Sequence, residues 1–477
     1  MSKNAFSELL RPYGAEMFPL LVVDLMHEFE LGVWKAVFIH IIRILHTLPN
    51  AVVIFDESNA SERKKLAARD YEDYLQNLAD CFQTIIPVIE HLLPEPFNGM
   101  IMTMLFRLAE WHALAKLRMH TDDTLTRFKK STTVIGKELR QFHAEPRGKF
   151  LNLATYKFHA IGDYPSTIPF VGTTDSFSTQ IGELAHRLLK RLYRRTNKRN
   201  AIKQMAKLER RQIRLQKARE AADSPRKRHA HHIPFSQTRH HENTGVDVHH
   251  YISPSQNHRT NLYSFVNDKD PAKEDFIPKL KDHLLGRLLH RDFDGDEEQF
   301  SEEERATVRI NNNSIYSVGT MRVNYTTYDM RRDQDTINPR THPDVIVLSA
   351  ETGRNAHPFW YARVLGIFYA DVVHKGPQAQ NHGTQRMEFL RVRWFGVVPG
   401  YKSGFKVARL PKLGFVSYDD ENTPAFGFLD PSLVLRGCYI VPAFADGKTT
   451  MLLPTVIPTV ARPIGETEEW KNYYAIM

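Results

Sequence analysis

Cysteine is almost absent from this 477-residue sequence: Cys81 and Cys438 are the only two. They lie far apart along the chain, so a disulfide framework is not expected and a reducing compartment is. Long apolar runs are missing as well. The most apolar early stretch, Met17 to Met26, is interrupted by Pro19 and Asp24 and is too short to span a bilayer. The N-terminal MSKNAFSELLRPYGAE lacks the basic-then-apolar layout of a secretory signal. No Gly-rich phosphate loop, nucleophile elbow or paired zinc CxxC occurs, which removes the commonest enzyme classes. No membrane partner is expected. Cytosol or nucleus is the expected location, and the net charge of +9 favours the nucleus.

Acidic residues are scarce in one place above all. Between Arg187 and Arg228 there are 17 Lys and Arg against three acids, Glu209, Glu220 and Asp223, a net +14 that leaves the rest of the chain at −5. Solvated helical faces usually alternate sign, so a field this localised points to a polyanionic partner, and nucleic acid is the commonest. Arg187, Lys190, Arg191, Arg194, Arg195, Lys198, Arg199, Lys203, Lys207, Arg210 and Arg211 are the expected backbone contacts. Their helix opens with a single acid, Glu183. Placed there, it either complements the helix N-terminus or serves as a metal-binding carboxylate, because cations that assist phosphoryl transfer are held by a few carboxylates plus substrate phosphates.

Hydrophobic content of 42% and aromatic content of 11% are those of folded protein, and the length implies two to four domains. Residues 1–195 read as mainly helical. Leu31, Trp34, Phe38, Ile41, Ile42 and Leu45 recur at helical spacing, with Pro49 and Asn50 ending the helix. Further helices are expected over about Glu62–Asn77, Leu78–Leu93 (kinked at Pro87) and Met100–Leu117. Residues 149–181 read as a loop-rich approach to a helix that starts near Thr179 and, if continuous to Arg219, would be roughly 60 Å long. The basic helical extension is assigned to 196–221 and a polar linker, with seven histidines between His229 and His250, to 222–262. A short helical and acidic connector follows over 263–306. Asp292, Asp294 and Asp296 there resemble a calcium loop, but Gly295 falls at the fourth position instead of the sixth, so an acidic turn is expected.

From Thr307 the period changes to two. MRVNYTTYDM, PDVIVLS, PFWYARVLGIFYADVV, MEFLRVRWFGV and LVLRGCYIV read as strands. Leu390, Val392 and Trp394 alternate with Arg391 and Arg393. Residues 307–462 are therefore expected to form a small antiparallel β-barrel, with a tail over 463–477. The fold class is α+β. Phe359, Trp360, Tyr361, Trp394 and Phe395 either fill the barrel core or line a binding groove.

Four strings, DLMHEFELGVWKAVFIHIIRIL, AEWHALAKLRMHTDDTL, KFLNLATYKFHAIGDYPSTIPFVGTTDSFSTQIGELAHRLLKRLYRRTNKRN and MRVNYTTYDMRRDQDTINPRTHPDV, resemble the Plavaka-type transposases of basidiomycete fungi, relatives of the CACTA (En/Spm-like) cut-and-paste transposases. The resemblance covers almost the whole chain. It implies an RNase H-like core interrupted by a helical insertion, three catalytic acids, and Mg²⁺ or Mn²⁺ for strand cleavage and joining. Asp24 and His27 are similar to the family's Asp-x-x-His signature. Glu183 resembles its third acid and would be the metal ligand, with Arg187 and Lys190 beside it. The sequence departs from the family at Val23, where proline is expected, and at Ala185, where an acid is common. The family's first two aspartates lie upstream of the signature, and only 23 residues precede Asp24 here. The resemblance therefore implies a truncated, DNA-binding remnant, unable to catalyse strand transfer alone and not holding its metal productively. A homo-oligomer or a full-length transposase is the implied protein partner. The rival reading is a protein-interaction or chromatin-associated module built on the aromatic β-domain, without DNA chemistry.

Overall fold

The computed structural model describes residues 8–9, 11–14, 22–48, 85–145, 150–179, 186, 189–222, 248–254, 256, 258–266, 268–291, 299–351, 356–420, 423–454, 459–463 and 465–476. It is a mixed α+β protein, helical in its N-terminal half and mostly antiparallel sheet in its C-terminal half. The chain divides into two compact units that do not follow chain order. One holds residues 1–44, 71–79 and 110–242; the other holds 45–70, 80–109 and 243–477. The expected Glu62–Asn77 helix lies outside the described residues.

In the first unit the chain enters a ten-residue π-helix, Leu25–Trp34, that continues into α1 (Lys35–Leu45). Helical spacing thus begins six residues earlier than Leu31, because Leu25, Met26 and Phe29 are also buried. Four helices follow: α2 (Phe97–Ala115), of which residues 110–115 belong to this unit and 97–109 to the other, α3 (Asp122–Ala144), α4 (Tyr156–Ala160) and α5 (Tyr164–Val171). The region expected to be loop over 149–181 thus carries two helices, since Tyr164 and Ile168 supply buried anchors one turn apart. The second of them starts with Pro165 in its first turn, where proline costs no hydrogen bond.

The sequence reading did not include α3. A capping box between Thr121 and Thr124 starts it, and Phe128, Ile135, Leu139 and Phe142 form its buried stripe. The core centres on Trp111, which is fully buried. Its ring stacks on Phe29 at 4.5 Å, meets Tyr164 edge-on at 5.1 Å, and its Nε1 donates to Thr132 Oγ1 at 2.9 Å. Beside it the buried His112 Nε2 pairs with Glu30 Oε1 at 3.0 Å.

A continuous 60 Å basic helix does not form. Helical residues 189–193 stop in a turn, and α6 (Ala201–Ala222) begins anew. Lys198 and Asn200 take left-handed backbone (φ 63° and 52°), which a helix cannot contain. Thr196 Oγ1 donates to Tyr193 O at 2.8 Å, and the Asn197 side chain accepts from Arg199 N at 2.9 Å, so the polar side chains replace helical hydrogen bonds.

The second unit is built on sheet. Its strands are β1 (His250–Ile252), β2 (Arg259–Asn261), β3 (Val308–Ile310), β4 (Ser314–Val318), β5 (Met321–Thr326), β6 (Arg332–Ile337), β7 (Asp344–Leu348), β8 (Phe359–His374), β9 (Gln385–Val397), β10 (Lys412–Phe415), β11 (Phe426–Leu429), β12 (Val434–Gly437), β13 (Tyr439–Pro442), β14 (Lys448–Thr449), β15 (Glu469–Trp470) and β16 (Tyr473–Ile476). Helices α7 (Phe276–Leu288) and α8 (Glu302–Thr307) precede β3. The first two strands arise from residues read by composition as linker. The five strings read as strands are strands, the last of them split at Cys438.

The small closed barrel does not form. The main sheet has eleven strands, with the path β12-β7-β8-β9-β10-β16-β13 and β2, β3, β4 and β11 attached beside it; β1-β5-β6 make a separate three-stranded sheet. The path's two ends, β12 and β13, are not paired with one another, yet they are consecutive in the chain and separated by Cys438 alone. Its backbone N–H donates to Asp344 O at 3.0 Å. Long strands carry the sheet, since β8 has 16 residues and β9 has 13. The pattern Leu390-Arg391-Val392-Arg393-Trp394 alternates as expected, but both of its faces are covered. Arg391 is 3% exposed and Arg393 fully buried.

Candidate functional site

The Asp-x-x-His pair sits where the chain turns into the π-helix. Asp24 has extended backbone (φ −118°, ψ 111°) and occupies the N-cap position, yet its side chain caps nothing. An aspartate at this position ordinarily caps its helix, and this one does not. Its carboxylate instead meets one side chain of the helix, His27, and one group beyond it, Thr179. His27 Nδ1 lies against Asp24 Oδ2 in a short hydrogen bond. Thr179 donates its hydroxyl to the same oxygen at 2.5 Å and its backbone N–H to Oδ1 at 3.4 Å. Thr179 Oγ1 is also 3.0 Å from His27 Nδ1. Both groups meet the imidazole on its Nδ1 side, and the His27 side chain is 46% exposed.

Behind this trio lies a second carboxylate. Glu28 Oε2 accepts from Asp24 N at 3.2 Å and from Tyr164 OH at 3.4 Å. Burial raises the Glu28 carboxyl above its ordinary value, partly offset by these donors. Burial also acts to raise Asp24, but the hydrogen bonds from Thr179 and His27 outweigh it and hold that carboxyl below the usual range. Two neighbouring acids are thus pushed in opposite directions, a pattern common at functional sites. Burial, with the Glu28 charge added to it, keeps Tyr164 protonated well beyond the ordinary tyrosine range. A π-helix is itself a frequent companion of such sites. Gly32 has no room for a side chain, since a Cβ there would lie 2.7 Å from Lys157 Cδ and 2.9 Å from His27 O.

The sequence reading found Asp24 and His27 but not Thr179, Glu28 or Tyr164, although all five lie inside the strings that carry the family resemblance. Glu183 and Arg187 lie outside the described residues, so the site stops at Thr179. Among the described residues no three His, Cys, Asp or Glu side chains converge to hold a metal ion.

Lys190, Arg191, Arg194, Arg195, Lys198, Arg199, Lys203, Lys207, Arg210, Arg211 and Arg214 are all exposed. Among the described residues none of them joins an ion pair. Glu209 is the sole acid from residue 189 to 215. In α6 the spacing sets Lys203, Lys207, Arg210 and Arg214 on one face, a stripe roughly 16 Å long at 1.5 Å per residue.

The aromatic cluster of β8 and β9 does not form an open groove. Tyr361, Trp394 and Phe395 are buried and belong to the sheet's cores. Trp360 is half-buried and donates Nε1 to Glu351 Oε1 at 2.9 Å. The histidines from His229 to His241 and the acidic turn at Asp292–Asp296 lie outside the described residues. No family model matches this chain, and neither a curated protein nor a solved structure does.

Proposed function

We propose that this chain is a DNA-binding protein derived from a cut-and-paste transposase of the CACTA, Plavaka-type group. Its helical first unit would be the insertion and last helix of an RNase H-like core, its β-rich unit an accessory module, and its site of action the nucleus. The observation that carries this reading is the basic stripe: eleven exposed cations between residues 190 and 214 with one acid among them. Proteins that need such groups only for solubility intersperse both signs. On duplex DNA, with one charge per about 1.7 Å of axis, a 16 Å stripe spans roughly ten phosphates.

The hydrogen-bonded Asp24–His27–Thr179 trio supports the transposase part of the reading, because it joins two of the resembling strings at one point. Strand transfer by these 477 residues alone is not expected. Residues 1–23 contain no aspartate to serve as the family's first two acids, and Glu183 alone would leave each metal ion mostly water-coordinated. Mg²⁺- or Mn²⁺-dependent nicking that disappears in Glu183→Gln would overturn that point.

Fluorescence anisotropy with a labelled duplex tests the DNA reading. If six to ten cations meet phosphates, affinity falls by roughly 10³ to 10⁵ between about 50 and 200 mM salt. Deletion of residues 187–228 then abolishes binding. A flat salt response, or binding that survives the deletion, removes the reading.

A further inference from the structure

The β5–β6 hairpin ends in a turn that is fastened from inside. Thr327 N donates to Arg331 O at 2.7 Å and Met330 N to Thr327 O at 2.9 Å. Asp329, at the tip yet only 5% exposed, accepts from Thr327 Oγ1 at 2.5 Å and from Arg331 Nε at 3.0 Å. Met330 is held at φ 61°, a conformation that residues with a Cβ rarely adopt. A buried carboxylate and a disfavoured backbone together present two large side chains outward: Tyr328 is 69% and Met330 70% exposed. Strained turns that display side chains in this way are characteristic of functional sites.

Tyr328 also lines a cavity of about 480 Å³ with Asn324, Tyr325, Thr326, His249 and Arg436. Arg436 stands 4.3 Å over the Tyr325 ring and donates Nη2 to its hydroxyl at 3.1 Å, so that ring and cation are fixed relative to each other. No carboxylate lines the cavity itself among the described residues, but Asp335 Oδ2 stands 3.4 Å from Arg436 Nε. Flat π-faces, hydroxyl and amide groups and an arginine side chain that stays 40% exposed suit a ligand that combines an aromatic ring with negative charge. A nucleotide within a strand has both. In a duplex the base faces are covered by their neighbours, so the strand must be single.

We infer that the β5–β6 tip and this cavity form a base-stacking site for single-stranded nucleic acid, with Tyr328 as the stacking platform. The site lies in the unit that does not contain the basic stripe, and it does not depend on that stripe binding duplex.

The test uses the full chain and a labelled oligothymidylate, followed by anisotropy at about 200 mM salt, where backbone attraction is weakened. Tyr328→Ala, at an exposed position, is expected to lose about tenfold in single-strand affinity, whereas Tyr328→Phe keeps the ring and stays within about twofold. Duplex binding at about 50 mM salt should be unchanged in both variants. Wild-type single-strand affinity in Tyr328→Ala overturns the inference and assigns the tip to a protein partner. Equal losses in the Ala and Phe variants also overturn it, because the hydroxyl and not the ring would then be the contact. If the basic stripe fails to bind duplex but Tyr328→Ala still weakens single-strand binding, this inference stands and only the earlier reading falls.

Discussion

Thr179 donates its hydroxyl to the carboxylate of Asp24 at 2.5 Å, across 155 residues of chain. The bond ties the entry of the π-helix to the segment leading into the basic region, and the side chain of Asp24 is only 15% exposed. Thr179→Val keeps the shape and removes the donor. Hydrogen bonds to charged groups contribute about 1.5 kcal/mol or more, so the urea midpoint should fall by that equivalent at neutral pH.

The pH dependence of that loss has a definite sign. Burial works to raise the Asp24 carboxyl, yet the bonds from Thr179 and His27 leave it below its ordinary value. A carboxylate depressed in the folded state stabilises the fold above its unfolded value, near 3.9. The contribution fades as pH falls through the lower folded value. The gap between wild type and Thr179→Val should therefore be full at about pH 6 and shrink once the pH drops below about 4. A gap that stays constant to about pH 2 would mean that Thr179 acts by packing.

Glu469 serves two buried guanidinium groups at once. Both Arg393 Nη atoms donate to it, one of them at 3.0 Å, and Arg462 Nη2 approaches to 3.6 Å. The ring of Phe415 lies 3.8 Å from the Arg393 guanidinium. Glu469→Ala would leave two cations unpaired inside the β-rich unit. Breaking a buried pair costs about 3–5 kcal/mol, so this variant should unfold far earlier in urea, or fail to accumulate. A shift under about 1 kcal/mol would mean that water reaches the site.

Lys203 and Arg210 lie two turns apart on the exposed face of α6. If both touch phosphates, Lys203→Ala with Arg210→Ala should lower the slope of log affinity against log salt by roughly 2. The same double variant should leave thermal stability within about 0.5 kcal/mol, as surface changes usually do. An unchanged slope would place the DNA elsewhere.

Thr121 starts the 23-residue α3 through its capping box with Thr124. Thr121→Ala should cost about 1 kcal/mol, read as a lower unfolding midpoint. Thr121→Ser, which keeps the oxygen, should restore most of it.

Local periodicity carried the sequence reading a long way, and its failures have identifiable causes. Alternation placed β5, β7, β8 and β9 correctly. The same alternation misled about Arg391 and Arg393: it tells which side chains share a face, but not whether a second layer covers that face. Here Ala272, Phe276 of α7 and Glu469 cover it. The basic run from Arg187 reads as one helix by charge and Leu spacing, and the break turns on Thr196, Asn197 and Asn200, residues whose side chains compete with helical hydrogen bonds. The α3 helix was passed over because Lys, Arg and Thr dilute its Phe128–Ile135–Leu139–Phe142 stripe. At the candidate site Asp24 and His27 were legible only through their likeness to the Asp-x-x-His signature. Thr179 was not, because its contact is made only by tertiary folding.

Because the main sheet's two margins, β12 and β13, are one stretch of chain interrupted by Cys438 alone, that stretch cannot peel from one neighbour without straining its hold on the other. Fraying at β7 and at β16 should then be a single event. Amide exchange at Ile346 and at Tyr474, more than a hundred positions apart, would be expected to quicken together, as if two seams of a garment shared one thread.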